Sequence, residues 1–129
     1  MRDFPEQPFV LDHIAKPMIA QGLVSPWQES LLDLAKLPNV SCKLSGMVTE
    51  ARWRQWQPLD FHRYMNIVVE AFGSDRLMIG SDWPVCLLSG DYRPVMQFVI
   101  DYVQQFPVQV RTGILGENCA RIYKIHPQA

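Results

Sequence analysis

The residues with the most chemical reach sit where short apolar runs end. Phe9-Val10-Leu11 leads into Asp12-His13 and then Lys16-Pro17, while Leu77-Met78-Ile79-Gly80 leads into Ser81-Asp82-Trp83-Pro84. Between them, Val40, Cys42 and Leu44 alternate with Ser41, Lys43 and Ser45. A carboxylate placed like Asp82 can act as a general base or as a hard-oxygen metal ligand; it can also do no more than start a turn before Trp83-Pro84. His13 can ligate metal or polarise a carbonyl through its imidazole, or simply be a hydrogen-bonded residue at a strand end. Lys16 and Lys43 are candidates to hold an anionic or hydroxylated substrate. Lysines are mostly solvated, and Lys16 fits that description, but Lys43 interrupts an apolar alternation and must point into a polar lumen or at a paired acid. Trp53 and Trp56 with Arg52 and Arg54 can form a lid over a sugar-like ring or pack against their own domain. His62 and His126 receive no role. GxGxxG, P-loop, HExxH, GxSxG and HxH patterns are all absent.

The elements that must carry these residues follow from periodicity and punctuation. Residues 9–13 read as a buried strand, residues 40–45 as a strand with two unlike faces ended by Gly46, and residues 76–80 as a second buried strand. Ser25-Pro26-Trp27-Gln28 predicts a helix start with Ser25 and Gln28 as a capping box, followed by Leu31, Leu34 and Ala35 at helical spacing. Phe61, Tyr64, Met65, Val68 and Phe72 predict a second helix that Gly73 stops, Val95 to Phe106 predict a third, and a short one opens near Gly116-Glu117-Asn118. Alternation puts His13 on the face of Leu11, and Asp82 on the face of Gly80 and Met78. With strands about 4.8 Å apart, the His13 and Asp82 backbones would lie about 9–10 Å apart, leaving room to grip one water or metal ion between them.

Strand and helix alternate, so the fold class is α/β with parallel strands and right-handed crossovers. An open doubly wound sheet and part of a (β/α)8 barrel both fit, and in both the ligand site lies beyond the carboxyl ends of the strands. A barrel of about 250 residues would need twice this length, and three parallel strands leave two open edges that something should cover.

Composition bounds the rest. With 129 residues, 48% hydrophobic and 19% charged, the chain reads as one globular domain, residues 1–129, rather than a disordered or disulfide-scaffold sequence. Twelve Lys and Arg against thirteen Asp and Glu give no basic footprint for nucleic acid. No apolar run approaches the roughly 20 residues of a membrane span, and the acidic, proline-containing start is unlike a signal peptide, so a cytoplasmic protein is expected. Cys42, Cys86 and Cys119 are odd in number and lack a CxxC pair, as expected of reduced, buried thiols.

Four segments together resemble the amidohydrolase-related family, in particular its sugar-lactonase, fuconolactonase-like branch. They are Phe9 to Pro17, Cys42 to Gly46, Leu77 to Val85 and Ile114 to Tyr123, in matching order across nearly the whole chain. The resemblance implies a partial (β/α)8 barrel containing its sixth to eighth strands, with His13 ending the sixth, Lys43 and Ser45 on the seventh and Asp82 ending the eighth. It implies a hydrolase in which Asp82 activates water or binds a divalent ion such as zinc or manganese, and His13 helps to hold metal or substrate; a metal-independent route also stays open. Lys16, Lys43 and Trp83 are the implied contacts to a sugar-derived lactone. The family's first-strand HxH motif is not found in these 129 residues. The competing expectation is therefore a non-catalytic barrel piece that self-associates or joins a complementary barrel part.

Overall fold

The structure is a computed structural model describing residues 1–126. Three short strands, β1 (Phe9–Leu11), β2 (Val40–Leu44) and β3 (Leu77–Ile79), form one parallel sheet in the order β1-β2-β3. Phe9 pairs with Val40 and Leu11 with Cys42, then Cys42 pairs with Leu77 and Leu44 with Ile79. Helices α1 (Trp27–Ala35) and α2 (Leu59–Phe72) carry the chain between strands and pack on β2 and on each other. Helix α3 (Tyr92–Val103) joins that layer by stacking Phe98 on the fully buried Phe61, ring centres 4.5 Å apart. The expected α/β class and parallel arrangement are found, and Gly73 ends α2 with a positive φ of 70° that suits glycine.

The alternation along β2 divides two environments. Val40, Cys42 and Leu44 are fully buried in the core, while Ser41, Lys43 and Ser45 share the opposite face. This is the face on which the polar cluster forms. Among the described residues β1 and β3 each pair only with β2, so each has one edge without a strand partner.

Three expectations need correction. Ser25 does not cap α1: the helix opens after Pro26 without a side-chain cap, and the Ser25 hydroxyl donates instead to Glu29, 2.8 Å away. The last helical segment starts earlier than Gly116, at α4 (Val108–Thr112), and runs through a π-helical turn at Gly113–Glu117 into α5 (Asn118–Ile122). Pro107 precedes it and suits a helix start. Gly113 lies beside the Asn118 side chain, where an added Cβ would come within 3.2 Å of Oδ1. That Asn118 amide donates to the Ser74 and Leu77 carbonyls at the start of β3, so the glycine serves a close contact and does not break the helix.

The third correction concerns the thiols. Cys42 and Cys86 are fully buried, but Cys119 is only half-buried. Burial pushes the Cys42 thiol up to about 12, and it also raises Cys86, with the Asp82 carboxylate adding to the effect. Near pH 8 only about 10⁻⁴ of Cys42 would be thiolate, the reactive form. Brief treatment of the folded chain with iodoacetamide is expected to modify Cys119 well before Cys42 or Cys86, as read by peptide mass; equal labelling of Cys42 would contradict its burial. No helix among the described residues is long and apolar enough to cross a membrane.

Candidate active site

The strands stop short of the residues they were expected to present. β1 ends at Leu11 and β3 at Ile79, so the parity that would align His13 with Leu11, and Asp82 with Gly80, does not operate. Left-handed backbone sets both side chains instead. His13, Ile14, Ala15 and Lys16 have φ values of 52, 47, 58 and 46°, and Asp82 has 56°. Such conformations are unfavourable for residues other than glycine, most of all for the β-branched Ile14, and persist where surrounding contacts enforce them. Here Ile14 is fully buried, the Trp27 indole N–H donates to its carbonyl at 2.7 Å, and the Lys16 N–H donates back to the His13 carbonyl. A turn of about three residues brings His13 and Lys16 onto one side. Both reach the same carboxylate.

His13 Nε2 lies 3.2 Å from Asp82 Oδ1 and 3.2 Å from Asp12 Oδ2, and its Nδ1 lies 2.7 Å from the Ser45 hydroxyl. Lys16 Nζ lies 3.4 Å from the other Asp82 oxygen and 3.4 Å from Glu50, and donates to Thr49 Oγ1 at 2.9 Å. Lys43 Nζ sits 3.3 Å from Asp12 and 5.8 Å from the centre of the Tyr123 ring. Burial works to lower the Lys43 pKa, but hydrogen bonding with Tyr123 and Asp12 outweighs it, so the ammonium is held above its ordinary value. The Asp82 side chain is only 8% exposed. The result is a chain in which basic and acidic side chains alternate, Lys43, Asp12, His13, Asp82, Lys16 and Glu50, across the carboxyl ends of all three strands.

Of the residues singled out in the sequence, His13, Asp82, Lys16 and Lys43 therefore come together. Lys43 points at an acid, one of its two expected alternatives. Lys16 is exposed, as its type implied, yet its ammonium reaches Asp82, Glu50 and Thr49. The expected gap between His13 and Asp82 is absent, because the two are in direct contact. Trp83 follows Asp82 but is 62% exposed and packs on no other ring among the described residues. Trp56 takes the packing alternative, between Phe61 and Phe98 with its indole donating to the Ser89 carbonyl; Trp53 stays half-exposed. His62 packs edge-on to Tyr102, and His126 is exposed.

Asp12, Ser45, Thr49, Glu50 and Tyr123 complete the cluster. Asp12 and Ser45 lay beside residues already singled out, but nothing local marks Thr49, Glu50 or Tyr123. A separation of 3.2 Å between His13 Nε2 and Asp82 Oδ1 is close to the roughly 3.3 Å expected for two donors about 2.0–2.1 Å from one tetrahedral ion. The pair fits two positions around such an ion. Among the described residues, no group of three or more His, Cys, Asp or Glu is arranged to hold one. Two surface cavities measure about 530 and 330 Å³, the smaller lined by Lys16, Leu23 and Trp27; neither is lined by His13 or Asp82.

Comparison with known proteins agrees with the resemblance in the sequence. The amidohydrolase family profile matches residues 1–125. Over 126 residues the chain is 39% identical to an L-fucono-1,5-lactonase of Burkholderia multivorans, covering 90% of this chain and 43% of that protein. A crystal structure of an amidohydrolase from the same organism with bound HEPES superposes with a TM-score of 0.91 at 36% identity, covering 97% of this chain and 47% of the other. A second crystal structure of that amidohydrolase, with bound zinc, gives 0.89 at 37% identity, covering 97% and 46%. The chain spans less than half the length of these relatives.

Proposed function

Because this chain belongs to the amidohydrolase family, we propose that its polar cluster is part of a hydrolytic site that opens a sugar-derived lactone. The observation that carries the reading is the direct contact of His13 with the nearly buried Asp82 at the carboxyl ends of parallel strands, where α/β folds place their chemistry. The three strands are read as the sixth, seventh and eighth of a (β/α)8 barrel, with residues 1–129 as one C-terminal portion. The likeness to L-fucono-1,5-lactonases supports the substrate class.

In this reading Asp82 is the general base. It takes a proton from water as the water oxygen attacks the lactone carbonyl carbon; the ring C–O bond then breaks and the departing oxygen recovers a proton, giving a hydroxy acid. His13 and Lys16 hold the two Asp82 oxygens from opposite sides. The Lys16 and Lys43 ammonium groups face the negative charge that grows on the carbonyl oxygen and remains on the product carboxylate. The exposed Trp83 indole, next to Asp82, offers a flat apolar surface to a sugar ring. A divalent ion, zinc or manganese, would be held by His13 Nε2 and a carboxylate oxygen of Asp82, and when bound would supply Lewis-acid polarisation of the carbonyl. The zinc bound in a related amidohydrolase supports a divalent metal for this site.

The strand edges of β1 and β3 favour a second reading, in which the chain acts through association, with itself or with a complementary barrel part, and is not itself a catalyst. Two measurements separate the readings. Acid release from L-fucono-1,5-lactone and related sugar lactones, with and without added Zn²⁺ or Mn²⁺, is expected to exceed spontaneous ring opening; no excess under any condition would leave only the non-catalytic reading. Sedimentation is expected to show self-association, and a stable monomer would count against open, pairing-competent edges.

A further inference from the structure

The Nδ1 side of His13 is as closely built as the side that faces Asp82. Ser45 is 2% exposed and follows β2 on its polar face, with its hydroxyl 2.7 Å from Nδ1. Two glycines enclose this contact. Gly46 has a φ of 63°, and a Cβ there would fall 2.5 Å from the His13 Cβ, 2.6 Å from Cγ and 2.8 Å from Nδ1, so the imidazole lies directly against Gly46. On the other side, a Cβ at Gly80 would come 3.2 Å from the Ser45 Cβ and 3.4 Å from its hydroxyl. The ring and the serine therefore share one tight slot.

Hydrogen-bond chemistry then fixes what the serine does. Nε2 faces two carboxylate oxygens, from Asp12 and Asp82, at 3.2 Å each. Ionised carboxylates only accept, so Nε2 must present an N–H. A neutral ring then has its lone pair on Nδ1, and only a donor can meet it. We propose that Ser45 is the positioning residue of His13, donating its hydroxyl proton to Nδ1 and so holding the imidazole as the Nε2–H tautomer with that N–H aimed at Asp82. The hydroxyl can also rotate to accept, so the same residue would hold the ring if Nε2 gave its lone pair to a metal and Nδ1 carried the proton.

This deepens the lactone-opening reading, on which its functional meaning rests, but its test reads the imidazole directly and needs no turnover. In the metal-free chain labelled with ¹⁵N-histidine, at a pH where the rings are neutral, ring nitrogen shifts are expected to show His13 almost wholly as the Nε2–H tautomer. His62 and His126 serve as internal references. In Ser45→Ala the His13 Nδ1 signal is expected to move as its lone pair loses the hydroxyl donor, while Nε2, still facing two carboxylates, keeps its proton; Ser45→Thr, which keeps a hydroxyl, is expected to restore the wild-type pattern. A wild-type His13 in the Nδ1–H form would overturn the proposal without any variant. So would unchanged His13 shifts in a folded Ser45→Ala, or a folded Ser45→Thr that behaves like the alanine. Loss of lactone turnover by the wild type, with the tautomer as stated, would instead sink the functional reading alone.

Discussion

Replacing Asp82 by Asn is expected to lower kcat for lactone opening by about 10²–10⁴-fold, the range for loss of a positioned general base. A thousandfold loss corresponds to about 4 kcal/mol of barrier. The substitution keeps the size and shape of the side chain, so packing around this 8%-exposed group is little disturbed. What changes is chemistry. An amide accepts no proton from water, and it carries no charge to hold Lys16 at 3.4 Å. Its hydrogen bonding is also wrong. His13 presents Nε2 at one Asp82 oxygen and Lys16 presents Nζ at the other, so both neighbours donate, while one end of the amide must donate as well. Steady-state kinetics beside circular dichroism would check this: a folded variant with the wild-type rate would remove Asp82 from the mechanism.

The same carboxylate shows what sequence can and cannot disclose. The elements around it were legible because their signals are local. Val40, Cys42 and Leu44 against Ser41, Lys43 and Ser45 are a period-two pattern of side-chain type that marks the strand, although Ser41 and Ser45 are buried as well and only Lys43 is partly exposed. Phe61 to Phe72 with Gly73 gave a helix and its stop in the same way. His13 and Asp82 were recognisable as strand-end residues, yet their meeting was not legible. No glycine announces the left-handed run at His13 to Lys16; the indole of Trp27 and the burial of Ile14 enforce it, and both are tertiary facts. Lys16 looked like a solvated lysine because the groups that hold it, Thr49, Glu50 and Asp82, arrive on two other loops. The last helix was expected to open only near Gly116 because a glycine that admits a neighbouring side chain, as Gly113 does, and one that breaks a helix are the same letter. Arg76 gave no signal at all.

Arg76→Ala is expected to cost about 3 kcal/mol of folding stability, since hydrogen bonds from a charged donor contribute roughly 1.5–3 kcal/mol and several are lost together, a sizeable share of the roughly 5–15 kcal/mol a domain has. One guanidinium ties four carbonyls together. Nε donates to Phe72 at 3.0 Å, Nη1 to Leu37 and Val40 at 2.9 and 3.0 Å, and Nη2 to Ala35 at 2.8 Å. Ala35 is the last residue of α1 and Phe72 the last of α2, so these are carbonyls that a helix leaves without an internal partner, at the negative end of its dipole. Burial alone works to lower the guanidinium pKa, yet such a group stays charged at any ordinary pH. Its plane also lies 5.2 Å from the Phe72 ring centre. Alanine would leave several half-buried acceptors unpaired, at roughly 1–3 kcal/mol for each that water does not reach. Lysine would keep the charge but not the fork, so Arg76→Lys should recover only part of the loss. Urea unfolding should show a lower midpoint at unchanged slope for both variants, alanine the lower. If Arg76→Ala stayed within about 1 kcal/mol of wild type, water would be replacing the guanidinium. Arg76 immediately precedes β3, the strand that leads to Asp82, so the same variant should also loosen the His13–Asp82 contact. In ¹⁵N-histidine spectra that loosening would move the His13 signals while the exposed His126 keeps its own.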